Sequence, residues 1–532
     1  MTPALTPREL RPDKRLILFV AALAIVVAFA FQGTRGLRES TECRYAECAR
    51  EMLETGDWLV PTLRYQPHWT KPPLTYWIIA GGMELVGRNA WGARLPIALA
   101  FLAAVWAVYA IGKTLWDPAT GLVSAILYAT SPFAIAAANV VSTDTPLGLW
   151  QLLVVLAYWK VLRSDADRPP RRSRRARPTG SRRAWILGLW FFAGLAFLTK
   201  GPAGLLALLA VFVFHAWMRR RGRDLARLFA PVGLGLFLVV AFGWYVVVIA
   251  RYSGVLGYWL REEMLGRIAV SQIDHNPEWY KPFMLYLPIL VFGLGVWTYF
   301  WPVLAYRRRS ALHLSAMKRL FASSEPALFL AVWLLGPLAI LFLIRCRLPL
   351  YMVPLFPIVA LATARGLVLA WPGRALWRKV VPLACFAALA AIAGKGVIAY
   401  LPSDRDERPL AEAVLANATQ DTYIVVLDRP EKYGLEFYLD GRLEFATMRP
   451  QERPADRDAA DLVRELATQP RHPRYLVIYK ENADEFERLL QDAGLSYTRR
   501  PGPGHYGFLI LVPPSERSPT IAASPRRAAA SF

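Results

Sequence analysis

The stretch TECRYAECAREMLETGDWLVPTLRYQPHWTKPPLTYW, Thr41–Trp77, places Glu42, Arg44, Glu47, Arg50, Glu51, Asp57 and Lys71 just behind the apolar run 16–31. Each such charge costs roughly 2.5–3.5 kcal/mol at the centre of a membrane helix. The stretch therefore lies on a membrane face or lines a wet cavity. Carboxylates and a lysine gathered at such a boundary form a reaction-site pattern rather than a packing pattern.

Working outward, the chain has 532 residues, of which 55% are hydrophobic and only 19% charged, with 19 tryptophans. That balance excludes an ordinary soluble protein and fits a helical membrane protein. The net charge of +23 sits mostly in short loops between apolar runs, where it sets orientation, so no nucleic-acid partner is expected. Four cysteines without metal-ligand spacing give no disulfide framework and no metal site. The run 16–31 follows Arg8, Arg11, Lys14 and Arg15, and no small-residue cleavage site follows it. It is read as an uncleaved first helix.

A membrane span needs about 20 apolar residues. Candidates lie near 16–31, 96–113, 120–138, 145–162, 184–199, 202–218, 228–250, 283–305, 327–345, 349–370 and 376–400. These are eleven, and short or re-entrant helices raise the count to as many as thirteen. With the N-terminus in the cytoplasm, the basic loops at 171–183, 219–227, 307–309 and 374–379 all fall inside. The outer, periplasmic face then receives 32–95, the turn at Ser142–Asp144, the break at Lys200-Gly201-Pro202, the loop 251–282, the turn at 345–349 and everything after about Tyr400. The fold expected is a mainly α transmembrane bundle, 1–402, including the outer loop 32–95. A small extramembrane α/β domain follows at 403–512, where period-two runs at 423–427, 474–479 and 508–512 alternate with helical patterns at 459–468 and 482–494. The Ser-, Pro- and Ala-rich residues 513–532 are read as a disordered tail.

Within the outer segment, Thr41 or Ser40 caps a helix that Gly56 ends. Tyr45, Ala49, Met52 and Leu53 line its apolar face, so it reads as an amphipathic helix lying on the membrane. Glu42, in the first turn, is held ionised by the helix dipole and suits a general base; Glu47, Arg50, Glu51 and Glu54 read as a solvated face. Lys71 precedes Pro72-Pro73 and is held extended ahead of a new helix, placed either for a phosphate or for interfacial snorkelling. Asp144 is open to a plain capping role or a catalytic one. Lys200-Gly201-Pro202 interrupts two apolar runs, and His275 sits in the long outer loop with Arg267. Arg267, Arg345 and Arg347 are outer-face arginines against the loop bias, so each needs a partner, either an anionic phosphate or an ion pair with the tail domain.

The runs Arg44-Tyr45-Ala46-Glu47, Ala49-Arg50-Glu51-Met52-Leu53, Gly56-Asp57-Trp58, Lys71-Pro72-Pro73-Leu74 and Ala93-Arg94-Leu95-Pro96 resemble glycosyltransferase family 39, the protein mannosyltransferase-like membrane enzymes. Ser142-Thr143-Asp144, Lys200-Gly201-Pro202, Trp244-Tyr245, His275 with Trp279-Tyr280, and Leu348-Pro349-Leu350-Tyr351 extend the likeness over roughly 15–400. The resemblance implies a C-type glycosyltransferase fold and transfer of a sugar from a polyprenyl-phosphate donor to a lipid A-like or other envelope acceptor on the outer face of a bacterial inner membrane. It implies Glu42 and Asp144 as catalytic residues, and Arg44, Tyr45, Lys71, Lys200, Arg267, His275, Arg347 and Tyr351 as substrate-binding ones. Lys71, Arg267 and Arg347 with Tyr351 would hold the donor phosphate. The family acid falls at Thr41, so the base role passes to Glu42. Thr70 and Met264 replace the residues that bind a metal in the aminoarabinose enzymes, so no metal or other cofactor is expected. A transporter or flippase of lipid-linked glycans is the alternative; it predicts charges near the bilayer midplane and broken helices in both halves.

Overall fold

A computed structural model of the chain describes residues 14–166, 180–219, 228–261, 276–307, 313–419, 421–428, 433–451, 456–468, 474–480 and 483–511. Its contacts divide it into two compact units. One is built from the residues up to Arg35 and from Cys48–Leu401; the other from Gly36–Glu47 and the residues from Pro402 on.

The first unit is a helix bundle. Its helices are α1 (Lys14–Phe29), the second half of α2 (Thr41–Thr55), α3 (Leu74–Val86), α4 (Ala90–Leu115), α5 (Pro118–Ala129), α6 (Pro132–Ala138), α7 (Asp144–Ala166), α8 (Gly180–Lys200), α9 (Leu206–Arg219) and, further on, Pro231–Arg251, Lys281–Phe292, Phe300–Arg307, Glu325–Leu343, Phe356–Ala370 and Arg374–Tyr400. Their starts follow local chemistry. Asn89 accepts from Gly92 N to cap α4, and Asp117 accepts from Thr120 N to cap α5, with Pro118 in the first helical position.

Among the described residues, seven helical stretches are long and apolar enough to cross a membrane, or nine if each of two bent pairs is one span. The protein is a multi-pass membrane protein. The eleven spans read from the sequence are reached by adding α1, which has only 16 residues, and by dividing the stretch Ser181–Trp217. The chain does fold back inside that stretch. Gly201 has a positive φ of 61°, and a Cβ on Gly204 would collide with the Ala196 carbonyl, eight residues back and, in a straight helix, about 12 Å away along the axis. Gln151 of α7 donates to the carbonyl of Ala203 (3.0 Å) and so satisfies the broken turn.

The sequence reading allowed for short or re-entrant helices but did not place the two bent spans. Helix α5 meets α6 at 62°, and Lys281–Phe292 meets 295–307 at 87°. The two breaks lock onto each other. Ser131 Oγ donates to the Gly293 carbonyl (2.7 Å), Phe133 N donates to the same oxygen (3.2 Å), and Trp297 Nε1 donates to Thr130 Oγ1 (2.9 Å). Backbone groups freed in an apolar layer must find partners inside the protein, and here each break supplies them to the other. Neither break carries a charged residue, unlike the midplane sites that the transporter reading requires.

Side-chain bonds sort the helix ends into two sets. At one end, Arg163 Nε and Nη2 donate to the carbonyls of Thr114 and Leu115, Arg365 pairs with Asp117, and Arg307 donates to the Ala370 carbonyl. At the other, Arg94 Nη1 donates to the carbonyls of Gln32 and Arg35, Arg35 donates to Asn139, and Lys200 meets Asp144. The helices thus alternate in direction, with the basic loops' helix ends on one side and the unexplained polarity on the other.

In the second unit, a six-stranded sheet runs in the order β5-β4-β3-β6-β8-β7. β3 (Thr422–Leu427), β4 (Glu444–Thr447), β5 (Arg457–Asp458) and β6 (Arg474–Tyr479) are parallel; β8 (Gly507–Leu511) and β7 (Tyr497–Pro501) complete it antiparallel. Helices Ala459–Thr468 and Ala483–Asp492 cover one face, and Arg408–Asn417 with Tyr433–Tyr438 the other. Gly36–Glu47 joins this unit through backbone donors. Gly36 N donates to Asp406 Oδ2 (2.9 Å), Leu37 N to the Tyr438 hydroxyl (2.7 Å), and Gly434 N to the Glu39 carboxylate.

Candidate functional site

Asp144 opens α7 and Lys200 closes α8, and the antiparallel packing of these helices brings the two together. Lys200 Nζ lies 2.6 Å from Asp144 Oδ1, and both side chains are almost entirely buried. The same ammonium sits 4.3 Å from the centre of the Tyr351 ring. Among the described residues, Lys200 is the one side chain bonded to the Asp144 carboxylate. Asp144 therefore holds a buried cation against an aromatic face. Ser142, Thr143 and Thr145 beside it are buried as well. Tyr351 stands in the turn Pro349–Leu355, its hydroxyl 3.6 Å from Cys346 Sγ.

Lys71 approaches the same end of the bundle on a stapled loop. Three indoles donate to three carbonyls: Trp77 to Trp58 (2.7 Å), Trp244 to Leu59 (2.7 Å) and Trp259 to Trp69 (2.9 Å). Trp69, Trp244, Tyr245 and Trp259 pack with Leu198, two residues before Lys200. Lys71 Nζ donates to the Thr70 carbonyl (2.8 Å). The hairpin ahead of it, β1 (Thr62–Leu63) to β2 (Gln66–Pro67), turns through Arg64 and Tyr65, whose φ values of 55° and 58° are unusual for side chains of that bulk. Acids of α2 hold this turn. Tyr65 N donates to Glu51 Oε2 (3.0 Å), and the Tyr65 hydroxyl donates to Glu54 Oε2 (2.8 Å), which also accepts from Arg50. Burial raises the Glu54 carboxyl, but the hydrogen bonds from Tyr65 and Arg50 outweigh it and hold the group below its ordinary range.

These contacts correct the amphipathic-helix expectation. Glu47, Arg50 and Glu51 are buried, at 1%, 0% and 0% exposure, so α2 does not present them to water; Arg50 and Glu51 hold the hairpin. Gly56 ends the helix as expected, with φ 70°.

Glu42 lies in the half of α2 that belongs to the second unit, with Arg44 and Tyr45. It is buried, and its carboxylate accepts from Arg38 N (3.0 Å). Next to it, burial and then the charges of Glu39 and Glu42 push the Cys43 thiol well up, so Cys43 stays protonated. Arg347 is 4% exposed, and three of its N–H bonds go to the carbonyls of Asn276, Glu278 and Phe342. Its Nε is buried without a partner among the described residues. Arg267 and His275 lie outside the described residues. Among those described, no group of three or more His, Cys, Asp or Glu side chains is placed to hold a metal ion.

Residues 70–246 match the family described as dolichyl-phosphate-mannose-protein mannosyltransferase. An undecaprenyl phosphate-alpha-4-amino-4-deoxy-L-arabinose arabinosyl transferase of Pseudomonas aeruginosa (strain UCBPP-PA14) is 33% identical over 335 residues, which are 63% of this chain and 56% of that protein. The enzyme of the same name from Pseudomonas savastanoi pv. phaseolicola is 29% identical over 362 residues, 67% of this chain and 61% of that one. The match thus spans less than two thirds of these relatives. ArnT from Cupriavidus metallidurans, solved bound to undecaprenyl phosphate, superposes with a TM-score of 0.72 at 19% identity over 94% of this chain and 98% of that one. Over residues 70–246 the chain is similar to the protein mannosyltransferase-like family. Its fold is the C-type membrane glycosyltransferase fold, shared more distantly with the oligosaccharyltransferase of Archaeoglobus fulgidus (TM-score 0.53, 14% identity, covering 93% of this chain and 74% of that one).

Within this bundle, the Asp144–Lys200–Tyr351 trio and the loop bearing Lys71 gather at one end, next to the aromatic group around Tyr245. Tyr245, Trp69 and Trp259 were not among the residues singled out for the site. The signals available were aromatic density in the two outer loops for Trp69 and Trp259 and the motif Trp244-Tyr245 near the end of a span for Tyr245, and neither gives a pairing by itself.

Proposed function

We propose that the chain is a glycosyltransferase of the outer face of a bacterial inner membrane. It moves a pentosyl or hexosyl group from a polyprenyl-phosphate donor to a lipid A-like or other envelope acceptor, with the N-terminus cytoplasmic and the C-terminal unit periplasmic. The observation that carries this reading is the buried Asp144–Lys200 pair against Tyr351, on a fold whose solved relative is described as bound to undecaprenyl phosphate.

The acceptor hydroxyl attacks the anomeric carbon as the bond from that carbon to the phosphate oxygen breaks. The polyprenyl phosphate leaves with the bonding electrons, and a carboxylate takes the hydroxyl proton. Glu42 is the proposed base, a contribution typically worth about 10²–10⁴ in rate. Lys200, aimed by Asp144, and Lys71 neutralise the leaving phosphate, with Tyr351 and the Nε of Arg347, which has no partner among the described residues, completing the anion's surroundings. Arg44, Tyr45, Arg267 and His275 are the remaining proposed substrate contacts.

Mass spectrometry of lipid A and of extracted polyprenyl lipids, from cells with and without the gene, tests the proposal. The expected result is a sugar added to an envelope glycolipid or glycan only when the gene is present, and build-up of the polyprenyl-phosphate sugar when it is absent. Identical profiles in the two strains overturn it.

A further inference from the structure

The end of the bundle opposite Lys200 carries a second group of cations and an aromatic ring, and it serves no step of the proposed transfer. Trp371 follows the helix Phe356–Ala370 and is half-buried against Phe300, 5.5 Å between ring centres. Two cations from different helices converge on its indole. The Arg307 guanidinium carbon lies 4.8 Å from the ring centre and Lys379 Nζ 5.6 Å from it. The two charges are therefore no further apart than those distances together.

Two other cations at this end are satisfied otherwise. Arg365 has the Asp117 carboxylate, and Arg163 has two carbonyls. Among the described residues, Arg307 has a single carbonyl, that of Ala370 at 3.3 Å. Among the described residues, no carboxylate lies against Arg307 or Lys379. Arg307 and Lys379 are both exposed. Two like charges held over one ring repel each other, and an anion seated between them removes that cost.

We propose that Arg307, Trp371 and Lys379 form a binding site for the phosphodiester headgroup of an anionic phospholipid. The chemistry fits each member. Arginine binds phosphate oxygens bidentately, and lysine binds them as a point charge. An indole favours the depth where headgroups meet acyl chains. In the proposed orientation, with the basic loops cytoplasmic, this end meets the cytoplasmic leaflet, where anionic headgroups attract Lys and Arg. The site does not depend on the glycosyltransferase reading.

Native mass spectrometry of the full-length protein in detergent tests the assignment, with phosphatidylglycerol, phosphatidylcholine and inorganic phosphate as separate probes. Wild type is expected to retain phosphatidylglycerol over phosphatidylcholine. The Arg307→Ala/Lys379→Ala double variant is expected to bind it about twenty-five-fold more weakly, roughly fivefold for each cation. Arg307→Lys/Lys379→Arg, which keeps both charges, is expected to stay within a few fold of wild type and guards against loss by misfolding. Equal retention of the two lipids, or undiminished phosphatidylglycerol binding by the double alanine variant, overturns the proposal. Inorganic phosphate displacing the lipid at equal concentration also overturns it, because the site would then be one for free phosphate.

Discussion

The bundle holds the same chemical grouping at both ends: an acid at a helix start, a base from another helix and an aromatic ring under the base. At one end Asp117 pairs with Arg365 (2.8 Å), whose guanidinium lies 5.6 Å from the Trp116 ring centre. At the other, Asp144 pairs with Lys200 over Tyr351. The difference lies in how completely each acid is occupied. Asp117 also accepts from Thr120 N (2.8 Å) and Thr120 Oγ1 (3.0 Å), so it caps α5 and ties it to Phe356–Ala370. Asp144 has Lys200 alone among the described side chains, and the pair is more deeply buried. A saturated acid builds structure; a buried acid with one partner holds that partner ready. The comparison teaches that charge alone does not separate the two roles, whereas burial and the count of hydrogen bonds do.

The largest effect is expected where the comparison assigns chemistry. Lys200→Ala, Lys71→Ala and Glu42→Gln are each expected to lower glycan transfer in membranes at least about 100-fold, the lower range for losing a transition-state donor or a general base. Protein level is expected to stay near wild type for Lys71→Ala and Glu42→Gln. Lys200→Ala leaves Asp144 buried without its cation, an arrangement that costs on the order of 3–5 kcal/mol, so its activity is normalised to folded protein. Lys200→Arg, which keeps the charge, is expected to recover folding more fully than transfer. Transfer at the wild-type rate by Lys71→Ala and Glu42→Gln together would remove the enzyme assignment as built here.

A smaller effect is expected at the opposite end. Asp117→Ala removes a helix cap worth about 1 kcal/mol and the acid facing Arg365, a partly exposed pair worth little by itself. The expected outcome is a melting temperature lowered by a few degrees, with transfer per folded molecule unchanged. If Asp117→Ala instead abolishes transfer in protein that melts normally, the division between a structural end and a reactive end fails.

Much of this division was legible in the sequence. Alternating basic loops give the helix directions; Asp144 stood out at the start of a span and Lys200 at the break between two apolar runs, but nothing in the sequence paired them. In the second unit, the strand patterns at 423–427 and 474–479 and the helix at 459–468 appear where the periodicity put them. Other features leave no periodic trace. The membership of Gly36–Glu47 in a unit otherwise built from residues after Pro402 rests on backbone N–H groups meeting single side chains of Asp406, Tyr438 and Glu39. The breaks at Ser131 and Gly293 fit each other through one serine, one threonine and one tryptophan, residue types common throughout the chain. Arg50 and Glu51 carry the charge pattern of a solvated face, yet they face a hairpin, because nothing in helical periodicity distinguishes water from a polar protein surface.

The smallest expected effect concerns that hairpin, which stands at the Lys200 end. Glu54 is held below the ordinary carboxylate range, so its folded pKa is lower than its unfolded one, about 4.3. Its stabilising contribution is present above the unfolded value and is lost as pH falls through the folded one. The Glu54 side chain is 41% exposed, which limits the contribution to under about 1 kcal/mol. Glu54→Gln is therefore expected to melt slightly below wild type at pH 7, and the gap is expected to close as the pH drops below about 4. Tyr65→Phe, which removes the phenol that donates to Glu54, is expected to produce the same closing gap. A gap of unchanged size from pH 7 down to pH 3 would mean that the hairpin is held by packing and not by this carboxylate. The loop that brings Lys71 to the site would then be indifferent to acid, and the Lys200 end would owe its arrangement to the three indole anchors alone.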